Sequence, residues 1–254
     1  MAGAPRAQVT AALILAASRP GAPDPVATHA GVPHKALVEI GGRTMLARVA
    51  DALREAGLER IAVSASDARV LAEAERLGLE PIAPAAGPSG SVAAGLERLG
   101  APLLVTTADH ALLEAEWVRR FLEDAPAEAD VAALLARRET IEAAAPGTRR
   151  TYLRFADGDW SGCNLFLLAT PRSAAAIGLW SMVEEDRKRP WRIVRRLGPG
   201  LLLRYLLGRL TLVDAVQALG RRAGVKAAAV ASPFGLAAVD VDKPEDLELV
   251  RRLA

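Results

Sequence analysis

The sequence predicts an α/β fold: a mainly parallel, doubly wound sheet with helices on both faces. Two observations carry that expectation. Apolar, partly β-branched runs with no helical stripe recur at Val9 to Ala16, Ile61 to Ser64 and Leu103 to Thr107, as strands buried on both faces require. Capped amphipathic stretches separate them, and this alternation of strand and helix implies right-handed crossovers with a ligand at the carboxyl ends of the strands. At 254 residues and 51% hydrophobic, the chain is long enough to be one domain spanning residues 1–254 around a full core.

Past the first strand, Ala16, Ala17 and Ser18 are small enough for backbone N–H groups to approach a phosphate closely, and Arg19 and Lys35 bring positive charge beside it. A surface loop with two solvated cations reads equally well locally, because no GxxxxGK[ST] is present. Ala36 to Ile40 is expected as a short strand, Gly41-Gly42 turns it, and Thr44 caps a helix with Met45, Leu46, Val49 and Leu53 on one face. Gly57 ends that helix. Asp67 caps the next, which runs through Leu77 to Gly78, and Glu80 to Ala83 is again extended. The loop from Pro84 to Gly90 leads to Ser89 and Ser91, either of which can cap a helix over Val92 to Leu99.

The strand Leu103 to Thr107 delivers Asp109 to its carboxyl end. Mg²⁺ is usually held by one or two carboxylates, with waters and phosphate oxygens completing its shell, so an aspartate there suits a metal; it suits a turn or a cap for Glu114 to Leu122 as well. His110 follows directly, but neighbours point apart and it need not face the same cleft. Val131 to Ala136 is another strand, and Arg150 to Phe155 with Asn164 to Ala169 predicts an antiparallel excursion around a turn at Ala156 to Asp159. In the run WSGCN, Gly162 permits close backbone approach and Asn164 offers both a donor and an acceptor, which fits an acceptor-substrate wall or, alternatively, a bulge at a sheet edge. Cys163 reads as a small packing residue.

Pro171 to Val183 reads as a helix, and Arg187, Lys188, Arg189, Arg192, Arg195 and Arg196 then form a basic stretch around Trp191. Gly198-Pro199-Gly200 breaks the chain before LLLRYLLGRLTLVDAVQAL, an apolar helix or helix pair. This helical insertion at about 171–225 reads as a cover or a homodimer contact packed on the sheet, or as a peripheral membrane contact. Arg192, Arg195 and Arg196 are its candidates for binding an acidic or phosphorylated acceptor. Lys226 to Ala231 and Leu236 to Val241 are expected as the last strands, placing Asp240 and Asp242 on one side, and Pro244 starts the final helix with Asp242 as a candidate cap.

A formal charge of +2 is no nucleic-acid signature, although the pI of about 9.0 leaves room for a local basic face. Cys163 is the single cysteine, so an intrachain disulfide is excluded and a structural zinc site is not expected. MAGAPRAQ lacks the order of a signal peptide, and no apolar run reaches the length of about eighteen residues that a transmembrane helix needs. A cytoplasmic protein is expected.

LILAASRPG followed by HKALVEIGGRTML resembles the nucleotidyltransferases of the molybdenum-cofactor guanylyltransferase type (MobA-like) and the related small cytidylyltransferases, whose signature is LAxGxSxR and then a lysine. Here Ala17 and Ser18 replace the glycine pair, and the loop before Lys35 is longer. The similarity covers Val9 to about Phe166 and Lys226 to the end. It implies a Rossmann-like (GT-A-like) fold, Arg19 and Lys35 on the triphosphate, and Ala16 to Ser18, Ser89 and Ser91 along the nucleotide. Asp109 and Asp242, the latter just before the family's closing PEDL segment, become Mg²⁺ ligands. The implied reaction moves NMP from an NTP, CTP favoured over GTP, to a small phosphorylated acceptor. A nucleotide-sugar glycosyltransferase and a noncatalytic nucleotide-binding module are the alternatives: release of pyrophosphate discriminates against the first, and tight nucleotide binding without turnover would favour the second.

Overall fold

The computed structural model describes residues 8–17, 23–180, 192, 195 and 198–254. Strand β1 (Ala11–Leu15) lies inside the sheet, parallel to β4 (Arg60–Ser64) on one side and to β6 (Leu103–Thr107) on the other. With β5 (Glu80–Ile82), β7 (Val131–Arg137), β9 (Gly158–Leu168) and β10 (Ala227–Ser232), the order is β10-β7-β9-β6-β1-β4-β5. Strand β9 runs antiparallel to both β6 and β7, whereas β10 is parallel to β7. The sheet is therefore mainly parallel and Rossmann-like, as expected.

Alternation along β1 builds two cores. Ala12 and Ile14 point into one, with Leu46, Val49 and Leu53 of α2 (Met45–Glu55), Trp117, Val118 and Phe121 of α5 (Ala115–Asp124), and Leu247 and Val250 of α9 (Pro244–Leu253). Ala11 and Leu13 point into the other, against Val92 and Leu96 of α4 (Gly87–Leu99). A Cβ on Gly95 would sit 2.4 Å from a methyl of Leu13, so the glycine lets α4 lie directly on β1. Helices thus cover both faces. Caps are where sequence placed two of them: Thr44 accepts from the amide of Ala47, and Asp67 from those of Arg69 and Val70 ahead of α3 (Ala68–Arg76).

Several elements differ from expectation. The Pro-rich loop before Lys35 contains α1 (Pro25–Ala30), because Asp24 caps it and Gly31, at φ 67°, closes it. Lys35–Leu37 is a 3₁₀ turn, so the expected strand shrinks to β2 (Glu39–Ile40), paired with β3 (Arg43–Thr44). Ser89 and Ser91 lie within α4 and are buried; Ala86 is the N-cap, and Ser91 Oγ accepts from the amide of Ala85 at 3.2 Å. An unexpected α6 (Arg138–Ala144) follows β7.

The antiparallel excursion exists with a different partner: β8 (Leu153–Phe155) pairs with Gly158 to Trp160, not with Asn164 to Ala169. WSGCN lies inside β9, where Trp160 to Gly162 pair with β7 and Trp160 also pairs with β8, while the pairing with β6 begins only at Phe166; the β7 register shifts across Ala133 and Leu135 where Asn164 takes φ 49°. That is a bulge, on the stretch of β9 between its pairing with β8 and its pairing with β6. Leu236 to Val241 is no strand; a 3₁₀ turn at Gly235–Ala238 leads into extended chain, and the Val241 amide bonds to Asp109 O at 3.0 Å. Alternating AAVDVD mimics a strand, but no neighbouring strand supplies a ladder.

In the insertion, Pro171–Ala176 is a 3₁₀ segment with helix at 177–180, and the remainder of the expected helix lies outside the described residues. The expected helix pair is α7 (Pro199–Leu206) and α8 (Leu212–Ala223), the second capped by Thr211. Among the described residues no helix is long and apolar enough to cross a membrane.

Candidate active site

Leu15 and Thr107 face one another across the β1/β6 register, so both strands end together and the loops beyond them share one edge. Asp109 stands two residues past β6. Its Oδ1 accepts from the Thr107 hydroxyl at 2.5 Å, and its Oδ2 accepts from Lys35 Nζ at 2.7 Å. Lys35 Nζ also lies 3.4 Å from Asp242 Oδ1. Three residues far apart in sequence therefore meet.

The Lys35 backbone is fixed from behind. His34 caps its 3₁₀ turn, with Nδ1 accepting from the Ala36 amide at 3.1 Å. Burial lowers the His34 pKa, which favours the neutral imidazole, and the bond from the Ala36 amide selects the tautomer with Nδ1 unprotonated. For Lys35 itself burial disfavours the charge, yet Asp109, by charge and hydrogen bond, with Asp242 and Asp24, holds its pKa above the usual lysine range. The ammonium stays charged.

Asp240 lies behind this cluster. Its Oδ2 accepts from Asn164 Nδ2 at 2.9 Å, and its Oδ1 accepts from Arg150 Nη1. Burial first, then the charges of Asp109 and Asp242, push the Asp240 pKa up, while Arg150 and Asn164 oppose the rise. Arg150 continues to Asp246 at 2.5 Å, and the other oxygen of Asp246 accepts from the amides of Asp242 and Lys243.

Of the residues singled out in sequence, Lys35, Asp109 and Asp242 come together. Ala16 is buried at the same edge, but its amide already donates to Ser64 O at 3.0 Å, which leaves the exposed Ala17 as the nearer candidate for an anion. Asn164 sits on Asp240. Arg192 is half-buried and Arg195 exposed, while Ser18, Arg19 and Arg196 lie outside the described residues. His110 is buried, with its pKa lowered to about 4, chiefly by desolvation, so it carries no charge at neutral pH. Burial likewise pushes the Cys163 thiol up, in keeping with a packing residue.

Sequence reasoning gave no role to Arg150 or to Asp240. For Asp240 the spacing from Asp242 was visible; for Arg150 no local signal exists, because its carboxylate partners lie 90 and 96 positions away. Among the described residues no group of three or more His, Cys, Asp or Glu side chains is placed to hold a metal alone. The hard oxygens of Asp109 and Asp242, both already engaged with one cation, nevertheless match Mg²⁺, which needs only one or two carboxylates beside water and phosphate.

A family model described as the MobA-like NTP transferase domain matches residues 12–199. A hypothetical transferase from Thermus thermophilus is 33% identical, with 94% of this chain and 100% of that one covered, at a TM-score of 0.78. A CMP:2-keto-3-deoxy-manno-octonic acid synthetase complexed with CTP is 19% identical, covering 96% and 98% of the two chains at a TM-score of 0.56. A 2-C-methyl-D-erythritol 4-phosphate cytidylyltransferase, also from Thermus thermophilus, is 18% identical, with 97% and 98% covered at 0.56. At that identity these two show the fold alone. A search of the curated proteins found no match. Given the family match over most of its length, the chain belongs to the MobA-like NTP transferase family and is a nucleotidyltransferase.

Proposed function

We propose that this nucleotidyltransferase is Mg²⁺-dependent and transfers NMP from an NTP, CTP in preference to GTP, to a small phosphorylated acceptor. The observation that carries the reading is the convergence of Lys35 with Asp109 and Asp242 at the edge where β1 and β6 end. A nonbridging oxygen of the acceptor phosphate attacks the α-phosphorus; the bond to the bridging oxygen of the β-phosphate breaks, and pyrophosphate leaves with the electron pair. With a second pKa near 6, a phosphate monoester is mostly dianionic at neutral pH, so no side-chain base is required and positioning dominates.

In this reading Arg19 and Lys35 hold the triphosphate, and Ala16, Ala17 and Ser18 line it. Ser89 and Ser91 would serve through the first turns of α4, since their side chains are buried. Asp109 and Asp242 would hold Mg²⁺, which when bound supplies neutralisation of phosphate charge. The preference for CTP rests on the altered glycine pair at Ala17 and Ser18, and two solved structures of like fold are described as acting with cytidine nucleotides. Asn164, Arg192, Arg195 and Arg196 belong to the acceptor side. The chain reads as one cytoplasmic domain over 1–254 with the insertion at about 171–225, since β10 rejoins the sheet beside β7 after α8.

The test supplies each of the four triphosphates with Mg²⁺ and a panel of phosphorylated polyols, acids and lipid-headgroup precursors, and reads pyrophosphate. Release that needs CTP, Mg²⁺ and one acceptor class is expected. Turnover of nucleotide sugars without pyrophosphate would replace this reading with glycosyl transfer.

A further inference from the structure

Asp242 is a poorly anchored residue at its own side chain. Its carboxylate is 58% exposed, and its contact with Lys35 is the longer of the two that lysine makes, 3.4 Å against 2.7 Å. What places it is its backbone. The Val241 amide is bound by Asp109 O, and the amides of Asp242 and Lys243 are bound by Asp246 Oδ2 at 3.2 and 3.0 Å. Asp246 is in the first turn of α9, and its remaining oxygen is taken by Arg150 Nη2.

The same guanidinium reaches the other side of Asp242. Arg150 Nη1 donates to Asp240 Oδ1, and Nε donates to Thr148 Oγ1 at 3.1 Å. The arginine side chain is only 6% exposed, so these bonds form out of water and in fixed geometry. A planar fork can grip two carboxylates at once with each nitrogen aimed at a separate oxygen; an ammonium is a point charge that cannot hold the same spacing.

We propose that Arg150 is a positioning residue for nucleotidyl transfer: by gripping Asp240 and Asp246 together, it sets the backbone that carries Asp242 to the Lys35–Asp109 pair. This rests on the reading of Asp242 as a metal ligand. Residues that orient metal ligands from behind change metal affinity by about 10–100-fold when replaced, and Arg150 acts here through the chain rather than on the metal.

Arg150→Lys keeps the charge and removes the fork. The apparent Mg²⁺ constant at saturating triphosphate should rise about tenfold or more, with Mn²⁺ binding, followed by water-proton relaxation, weakened in parallel. The triphosphate KM at saturating Mg²⁺ should stay within about twofold, a split that a general loss of packing would not produce. Asp246→Asn is the second variant, near-isosteric and able to cap α9; it should shift the metal constant in the same direction. Asp242→Ala is the control. If it leaves Mn²⁺ binding unchanged, the metal reading itself fails. If it weakens binding while folded Arg150→Lys and Asp246→Asn keep wild-type metal constants, the role given to Arg150 is wrong and the reading of Asp242 stands.

Discussion

The carboxyl edge of the sheet and helix α7 depart from the usual distribution of polarity in opposite directions. At the edge, charge is held inside: the Arg150 side chain is 6% exposed and those of Lys35 and Asp109 are 19% and 15% exposed. In α7 and at its C-cap, apolar side chains are held outside, with Leu206 at 69% and Leu203 and the capping Leu207 each at 58%. The helix does have an inner face, because Leu201, Leu202 and Tyr205 pack around Leu210 and Ala215. Its outer leucines follow the helical spacing of a second face. Buried charge is retained where each ion has partners, since an unpaired one would destabilise the fold by several kcal/mol. The edge therefore keeps its charges because each is paired, whereas the outer face of α7 contributes little to the core.

The largest effect should come from breaking the edge. Asp109→Ala and Asp242→Ala should each lower kcat by about a hundredfold or more, as expected if they hold the Mg²⁺ that neutralises phosphate charge in the transition state. Lys35→Ala should lower kcat/KM for the triphosphate by a comparable or smaller factor, with the melting temperature moving far less than activity. Steady-state kinetics beside thermal melts check all three, and near-wild-type turnover in a folded variant would remove that residue from the site.

A pair of glycine replacements sharpens the contrast in packing. Gly235 lies five positions before Asp240, and a Cβ there would meet Thr140 O at 2.1 Å and Ala144 Cβ at 2.8 Å. The obstacle is backbone, so Gly235→Ala must shift the turn that leads to the carboxylates. A loss of about 2–3 kcal/mol is expected by chemical denaturation, together with reduced turnover. A Cβ on Gly200, within α7, would meet nothing within 4 Å. Gly200→Ala should stabilise by about 0.5 kcal/mol through helix propensity.

Much of this arrangement was legible in the sequence. The parallel strands β1, β4 and β6 are apolar runs that need no partner to be seen, and Thr44 and Asp67 announce their helices locally. Lys35, Asp109 and Asp242 were legible through the resemblance, and the fold brings them together. Features set by distant pairing were not. The bulge at Asn164 depends on its β7 neighbour, and AAVDVD has the period of a strand without a strand beside it. Arg150 sits in RRTYLRF with no motif around it, because its meaning comes entirely from Asp240 and Asp246.

A smaller effect tests the opposite end of the sheet. Asp130 accepts from the Lys226 amide at 2.9 Å and the Thr170 hydroxyl at 2.6 Å, tying β10 to the segment that leaves β9. Burial disfavours its charge, but the Lys226 amide and Thr170 outweigh that and lower its pKa. A folded pKa below the unfolded one means stability that is fully present above about pH 4, the ordinary aspartate value, and lost as pH falls through the native value. Asp130→Asn should be about 1–2 kcal/mol less stable than wild type at pH 7, with the difference shrinking below about pH 4. Denaturation midpoints across that range check it; a difference that persists undiminished in acid would mean that shape, not charge, is what Asp130 supplies.

The smallest effect belongs to the outer face of α7. Replacing Leu203, Leu206 and Leu207 with Gln keeps helix propensity nearly constant, so the measurement reports burial rather than helix formation. At their exposure these side chains lose little contact when shortened, and exposed positions change stability by about 0.5 kcal/mol or less apiece. Melting of the triple variant should therefore match the wild type closely, and the triphosphate KM should not move, since the Lys35–Asp109–Asp242 cluster draws on no residue of α7. A concentration-dependent loss of melting temperature would contradict this, because only burial in a homodimer makes stability depend on protein concentration. A loss confined to samples with anionic vesicles would instead show these leucines seated at a membrane surface beside Arg204 and Arg209.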